Sequence, residues 1–473
     1  SEETQMREVL AETLESSVAF HHADMTSDER EIVEGGFRSG ALRALVATST
    51  LSMGVNLPTR NVVLDGRRWE TKGPFGRPLL VDLTKSEFEN MSGRAGRLAF
   101  TRDFGRSILV TQSRYQADNW FETYIERGFE DITPTLKHDR LEDLVLDLVA
   151  SSLAKSRAEL GQLLLSSFTG TIHWSEKMGR EKFLEAVGAG VEVCTTGGLI
   201  REKGSALTVT KSGKEAAARS LGAETASIFA RWANNAAPGA PAPLEVLTLL
   251  GQTVAGDGVY VRYTYREDRE VDYKGEFVGR VDQAGLRERP VFHGYVSTRK
   301  ALEDDEAKAV KKALMMQDWI DEVPTRELER RYETWAGSLK RIGEEYGWLC
   351  EGLAAICAAE GWPATWRRAV ERLGERLIHG VREDALGVVK LRVRRLGRGL
   401  VPRLRGLGFL DVAELRRAGP DAVKRALGQR RLVDALFAKL AGAEHVEPPE
   451  PVQLRLPATA QVAPASAYAP IQG

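Results

Sequence analysis

The sequence predicts a multidomain α/β plus α protein, with a partial parallel sheet near the amino end followed by a chain that is almost wholly helical. Three observations carry this expectation. Short apolar runs (SVAFHH, LRALVA, NVVLDG, RSILV) alternate with helical stretches up to Val110, the pattern of strands that run the same way. Beyond about residue 131 the apolar positions recur mostly at helical spacing. At 473 residues the chain is too long for one ordinary core, so several domains are expected.

Taken in order, Ser17 to His22 reads as a buried strand, and Thr26 with Glu29 forms a capping box opening a helix through Phe37. Leu42 to Ala47, Asn61 to Gly66 and Arg106 to Val110 supply further strands. In such sheets the functional loops lie at the carboxyl ends of strands, where ATSTL (Ala47 to Leu51) and the GRAGR turn (Gly93 to Arg97) both fall. Thr84 with Glu87 caps the helix that carries Asn90 and ends in that turn. Arg94 and Arg97, three apart, form a pair of guanidinium forks suited to an anionic phosphoryl group. Gly93 and Gly96 are expected to let the phosphate approach the backbone, and the fixed charge to meet that developing as a γ-phosphoryl leaves. His21 and His22 have no partner at metal-ligand spacing, so no metal site is expected.

GRRWETKGPFGRPLLV (Gly66 to Val81) reads as two extended arms around a tip at Phe75. From Lys137 to about Leu221, three helices precede a small hairpin, GLIREKGSALTVT, which together make a winged helix. Glu224 to about Gly380 is helical, interrupted by an alternating stretch, residues 259–281, expected to be a hairpin insertion. On the helix SLKRIGEEYGWLCEGLAAICAAEGW, Arg341 and Trp348 stand two turns apart on one face, and a guanidinium plane and an indole there can grip bases of any sequence. RRLGRGLVPRLRGLGFLDVAEL fits a helix–hairpin–helix, with Gly397 and Gly399 in a tight turn and Arg398, Arg403 and Arg405 adding charge for a phosphate. The expected division is 1–130, 131–221, 222–385, 386–443 and a Pro- and Ala-rich flexible tail, 444–473.

The formal net charge of −1 argues against a wholly basic coat protein, but residues 361–440 hold 19 lysines and arginines against eight acids, an electrostatic footprint for phosphates. Cys194, Cys350 and Cys357 lack metal spacing and read as buried thiols in a reducing compartment. No run is long enough to span a bilayer, so no membrane partner and a cytoplasmic location are expected.

ATSTLSMGVNLP (Ala47 to Pro58) and ENMSGRAGR (Glu89 to Arg97) resemble motifs V and VI of the Ski-like branch of superfamily 2 helicases, and FHHADM (Phe20 to Met25) its FHHAGL. Over most of its length the chain is similar to the HelQ type of DNA repair helicase. Such enzymes couple ATP hydrolysis between two RecA-like domains to 3′-to-5′ movement on single-stranded DNA. The resemblance implies that residues 1–130 are the second RecA-like domain, and that Arg94 and Arg97 stabilise the transition state for hydrolysis. It implies that Asn90, where the family usually has Gln, helps position water, and that Gly54 and Asn56 lie in the loop meeting the nucleotide. Thr48 would hold a DNA phosphate and Phe75 would split a forked duplex at a β-hairpin. Arg341 and Trp348 would be the ratchet residues against successive bases, ALMMQDWIDEVP matching as well, while the winged helix mainly packs as a hinge.

The sequence holds no GxxxxGK[ST]: SGK (Ser212 to Lys214) has no glycine at the required distance, and EDDE (Glu303 to Glu306) opens a helix outside the motor. ATP and Mg²⁺ are therefore expected to be bound mainly by a P-loop-containing amino-terminal half. On this reading the chain is a carboxy-terminal helicase portion that begins after the first strand of its RecA-like domain and is inactive alone. Two other readings remain open, a catalytically silent nucleic-acid-binding adaptor and an RNA helicase, the helix–hairpin–helix favouring DNA.

Overall fold

The computed structural model describes residues 3–49, 57, 59–70, 79–96, 104–134, 140–235, 239–258, 261, 272–296, 302–393 and 396–442. The first unit contains α1 (Gln5–Glu15), β1 (Val18–His21), α2 (Ser27–Arg38) and β2 (Ala44–Ala47). β1 and β2 pair in parallel, Val18 opposite Ala44 and His21 opposite Ala47. The Thr26 capping box forms as expected: Glu29 N donates to Thr26 Oγ1 at 3.3 Å and Thr26 N to Glu29 Oε2 at 2.7 Å. Met6, Leu10, Ala19, Met25, Val33 and Leu42 close a small core beneath.

A second cluster joins β3 (Asn61–Asp65), β4 (Arg67–Glu70), β5 (Leu79–Asp82), α3 (Lys85–Ser92), β6 (Arg106–Val110) and α4 (Arg114–Phe121). β3 and β6 are parallel, whereas β4 and β5 form the two antiparallel arms expected around Phe75. Leu64, Leu83, Phe88, Trp120 and Tyr124 pack together, and Tyr124 donates its hydroxyl to the carbonyls of Gly66 and Leu83 at 3.1 and 3.0 Å. Among the described residues the parallel strands form two separate pairs rather than one sheet.

The largest core runs from Leu141 to Leu377. It gathers α5 (Leu141–Ala150), α6 (Arg157–Leu165), a π-helical segment (Gly170–Met178), α7 (Arg180–Thr196), the hairpin β7 (Ile200–Lys203) and β8 (Ala206–Val209), and α8 (Lys211–Ala218). It continues through α9 (Ala223–Asn235), α10 (Pro243–Gly251), α11 (Val254–Asp257), α12 (Tyr273–Gln283), α13 (Asp304–Ile320), α14 (Thr325–Tyr332), α15 (Ala336–Ala359) and α16 (Ala364–His379). The change of pattern at residue 221 is therefore not a gap in packing: Leu221 and Ala223 belong to the same buried cluster. All three cysteines are free and buried.

One expectation is corrected here. Of the supposed hairpin insertion, residues 259–260 and 262–271 lie outside the described residues, and its carboxyl part is the helix α12. Asp272 caps it by accepting from Gly275 N at 2.7 Å, and Tyr273, Phe277 and Val281 form a buried stripe at four-residue spacing.

The chain then forms α17 (Leu386–Val389), α18 (Val401–Gly406), α19 (Val412–Leu427) and α20 (Arg430–Gly442), mostly around a core of their own that includes Leu404, Leu415, Val423 and Val433. α19 is kinked at Gly419, where φ is +72°, because Pro420 has no N–H to continue the ladder. The expected tail lies outside the described residues. No described helix is long and apolar enough to cross a membrane.

Candidate nucleotide and nucleic-acid interface

The arginine turn is built by α3. Thr84 and Glu87 cap its start, and Gly93 ends it by donating to Glu89 O at 2.8 Å. Thr59 N then donates to Arg94 O at 3.2 Å, and Gly96 N to Thr59 O at 2.9 Å, pinning the turn to the chain that leads into β3. The glycine at 96 also meets a need of the chain itself. Its φ is +66°, and a Cβ there would stand 2.3 Å from Gly105 N, so glycine is required by chain packing within the turn. Arg94 is buried, with 9% of its surface exposed, rather than presented as an open fork. Asn90 is exposed on the last turn of α3. Thr48 is exposed just past β2, its N–H donating to His21 O at 3.2 Å. Gly54, Asn56, Phe75 and Arg97 lie outside the described residues.

His21 is buried against Glu34, 3.4 Å away. Burial lowers the pKa of His22, and its Nδ1 accepts from Asp24 N at 3.2 Å. Among the described residues no cluster of three or more His, Cys, Asp or Glu side chains could hold a metal ion.

α15 is buried along most of its circumference. Residues 341, 344, 345, 348, 351 and 355, spaced by three or four, keep partial or full exposure and mark a single ribbon. Arg341 and Trp348 share that ribbon, as their spacing predicts. Arg341 is exposed, whereas Trp348 is half-buried and donates Nε1 to Arg219 O at 3.1 Å, just past α8. Sequence reasoning missed Glu344, Glu345 and Glu351 on the same ribbon, although i, i+3 and i+4 counting from Arg341 would have placed them there. Burial raises the Glu345 pKa.

A second residue that sequence reasoning passed over is Trp69, two-thirds exposed on β4 and paired across the hairpin with Leu80. Its signal was a lone aromatic among charges in GRRWE.

At the carboxyl end the structure overturns one assignment. Arg398 is not exposed to a phosphate: it is 6% exposed and donates to Gly380 O at 2.8 Å, Thr325 Oγ1 at 2.6 Å, Trp319 O at 3.3 Å and Val323 O. Its guanidinium also lies 4.3 Å from the centre of the Trp319 ring. The residue joins the carboxyl-terminal helices to α13 and α14 because its planar fork matches several carbonyls at once. Arg405 is likewise engaged, with Glu322 and with Asp384 at 2.8 Å, and the hydrogen bond holds the Asp384 carboxyl below its usual range. Arg403 remains exposed and donates to Ala426 O at 3.2 Å.

Two stretches of the chain match known families. Residues 1–99 match the family described as Helicase conserved C-terminal domain, and residues 245–380, which include most of the large helical core and all of α15, match Archaeal helicase, domain 4. These matches bear out the resemblance to the Ski-like superfamily 2 helicases of the HelQ type. It is similar to the ATP-dependent DNA helicase Hel308 of Pyrobaculum calidifontis, 28% identical over 86% of this chain and 53% of that protein. The proteins of the same name from Aeropyrum pernix and Thermoplasma acidophilum are each 26% identical, over 88% and 90% of this chain and 53% and 57% of their own lengths. The chain thus spans about half the length of these relatives.

Proposed function

We propose that this chain is the strand-gripping and arginine-finger part of an ATP-dependent DNA helicase that moves 3′ to 5′ on single-stranded or forked DNA. The observation that carries the reading is α15: a long helix otherwise sunk in a core, whose ribbon carries Arg341, beside the loop between β1 and α2, and Trp348 two turns further on. A stacking plane and a guanidinium spaced by two helical turns hold bases without reading them, which is what a translocating motor needs. Residues 131–221 act as a winged helix that braces Trp348 through Arg219, and residues 386–443 as a helix–hairpin–helix in which Arg403 is the open cation. Trp69 adds an aromatic surface to the β4–β5 pair, and Phe75 is proposed to split the duplex beside it.

ATP with Mg²⁺ would supply the phosphoanhydride whose hydrolysis drives movement, held mainly by a P-loop-containing half. On this side of the cleft Arg94 fits an anionic group: it is a buried cation, so its charge is little screened by water, and Arg97 is proposed to act with it. Asn90 positions water, Gly54 and Asn56 bring the preceding loop to the nucleotide, and Thr48 holds a DNA phosphate. The test is ATP hydrolysis by the chain combined with a P-loop-containing half, with and without single-stranded DNA. DNA-stimulated hydrolysis that Arg97→Ala abolishes is expected. Hydrolysis indifferent to Arg97→Ala, or none at all, would favour an adaptor.

A further inference from the structure

The loop between β1 and α2 meets the amino end of α15 more intimately than simple packing requires. Gly337 N donates to Asp24 O at 3.0 Å, and a Cβ at 337 would stand 2.4 Å from the Asp24 carbonyl. The contact is thus backbone against backbone. The Asp24 side chain continues along the same helix: Oδ1 accepts from Ser338 Oγ at 2.6 Å and from Arg341 Nη2 at 2.8 Å, while Nη2 also donates to Ser338 Oγ at 3.0 Å. A carboxylate at a helix amino terminus is favoured by the unpaired N–H groups there. Around it, Lys340 reaches Ser27 Oγ at 3.1 Å, Arg326 reaches Glu8 at 3.0 Å, and Gln5 N donates to Glu329 at 2.7 Å. The loop and the first turns of α15 therefore form one seam.

We infer that Asp24 is a positioning residue that gates Arg341: its carboxylate occupies the guanidinium, and single-stranded nucleic acid must draw Arg341 away from it to be gripped. This inference rests on the role proposed above for Arg341. The exchange is feasible because the pair is half-exposed, 47% for Arg341 and 32% for Asp24, and exposed ion pairs are weakly bound. Among the described residues, Asp24 is the carboxylate within ion-pair distance of Arg341, whereas Glu344 lies 3.7 Å from Lys340.

The experiment is fluorescence anisotropy of a labelled oligothymidylate with the full chain at low ionic strength, in a double-mutant cycle of Asp24→Asn and Arg341→Ala. Asn keeps the shape and an acceptor for Ser338 while removing the charge. Asp24→Asn is expected to tighten binding about two- to fivefold, the scale of an exposed ion pair. Arg341→Ala should weaken it, and Asp24→Asn should have no further effect in the Arg341→Ala background. Tightening of equal size in both backgrounds would show a general charge effect and overturn the gate, as would no tightening at all. If Arg341→Ala leaves the affinity unchanged, the strand-gripping role itself fails and the gate with it. Circular dichroism checks each fold, and Asp24→Ser carries the same expectations should Asp24→Asn prove unstable.

Discussion

Replacing Arg398 by alanine should loosen the carboxyl-terminal helices before it affects nucleic-acid binding. The side chain donates to the carbonyls of Gly380, Trp319 and Val323 and to the Thr325 hydroxyl, and stacks on Trp319, all nearly out of water. A hydrogen bond to a charged group contributes about 1.5–3 kcal/mol net, but bonds sharing one side chain are not additive. An unmatched buried acceptor costs about 1–3 kcal/mol, and because these acceptors share one donor the loss is expected at about 3 kcal/mol rather than at their sum. Because α18 to α20 pack mostly on a core of their own, the loss should appear as an early, separate unfolding step. Urea titration followed by tryptophan fluorescence, with Trp319 as the local reporter, and by far-ultraviolet circular dichroism would resolve it. Arg398→Lys should restore little, since one ammonium cannot span the same acceptors. If Arg398→Ala unfolded like the parent but bound oligonucleotide more weakly, with a shallower salt dependence, Arg398 would be a phosphate contact and the reasoning would be refuted.

Three further outcomes are expected. Trp348→Ala should weaken single-stranded DNA binding by about 1–3 kcal/mol, roughly 5- to 150-fold, whereas Trp348→Phe should retain most of the affinity; equal losses would tie the effect to the hydrogen bond with Arg219 instead of stacking. Gly337→Ala should cost about 1–3 kcal/mol in thermal or urea unfolding, because its methyl would collide with the Asp24 backbone; an unchanged midpoint would contradict the close seam. Burial pushes the Tyr124 pKa up to about 12, from the usual value of 10.0. Above pH 10 the unfolded chain loses that proton first, so stability falls as pH rises towards 12, and Tyr124→Phe should flatten this part of the pH–stability curve. An identical alkaline fall in both proteins would argue against it.

Much of the fold could be read from local chemistry. Thr26 with Glu29 and Thr84 with Glu87 announced their helices because capping is decided within four residues. The seven-residue spacing of Arg341 and Trp348 fixed their common face. What could not be read depends on partners distant in sequence. Arg398 looks like any arginine in a basic stretch until Trp319, Thr325 and Gly380 converge on it from 18 to 79 residues away. The packing need at Gly96 was hidden because its neighbour, Gly105, lies nine residues on, just before β6. Residues 259–281 misled through mixed signals, an alternating first part masking the four-residue stripe of Tyr273, Phe277 and Val281. Asp24 carried no signal alone, since its significance lies in a helix more than 300 residues further on.

The most direct measurement of the central claim is strand separation by this chain joined to a P-loop-containing half, using duplexes with a 3′ or a 5′ single-stranded tail. ATP-dependent unwinding of the 3′-tailed duplex, reduced by Trp348→Ala and lost with Arg97→Ala, is the result predicted. Unwinding that ignores tail polarity, or survives both substitutions, would contradict a motor that grips one strand on α15 and fires through the arginine turn.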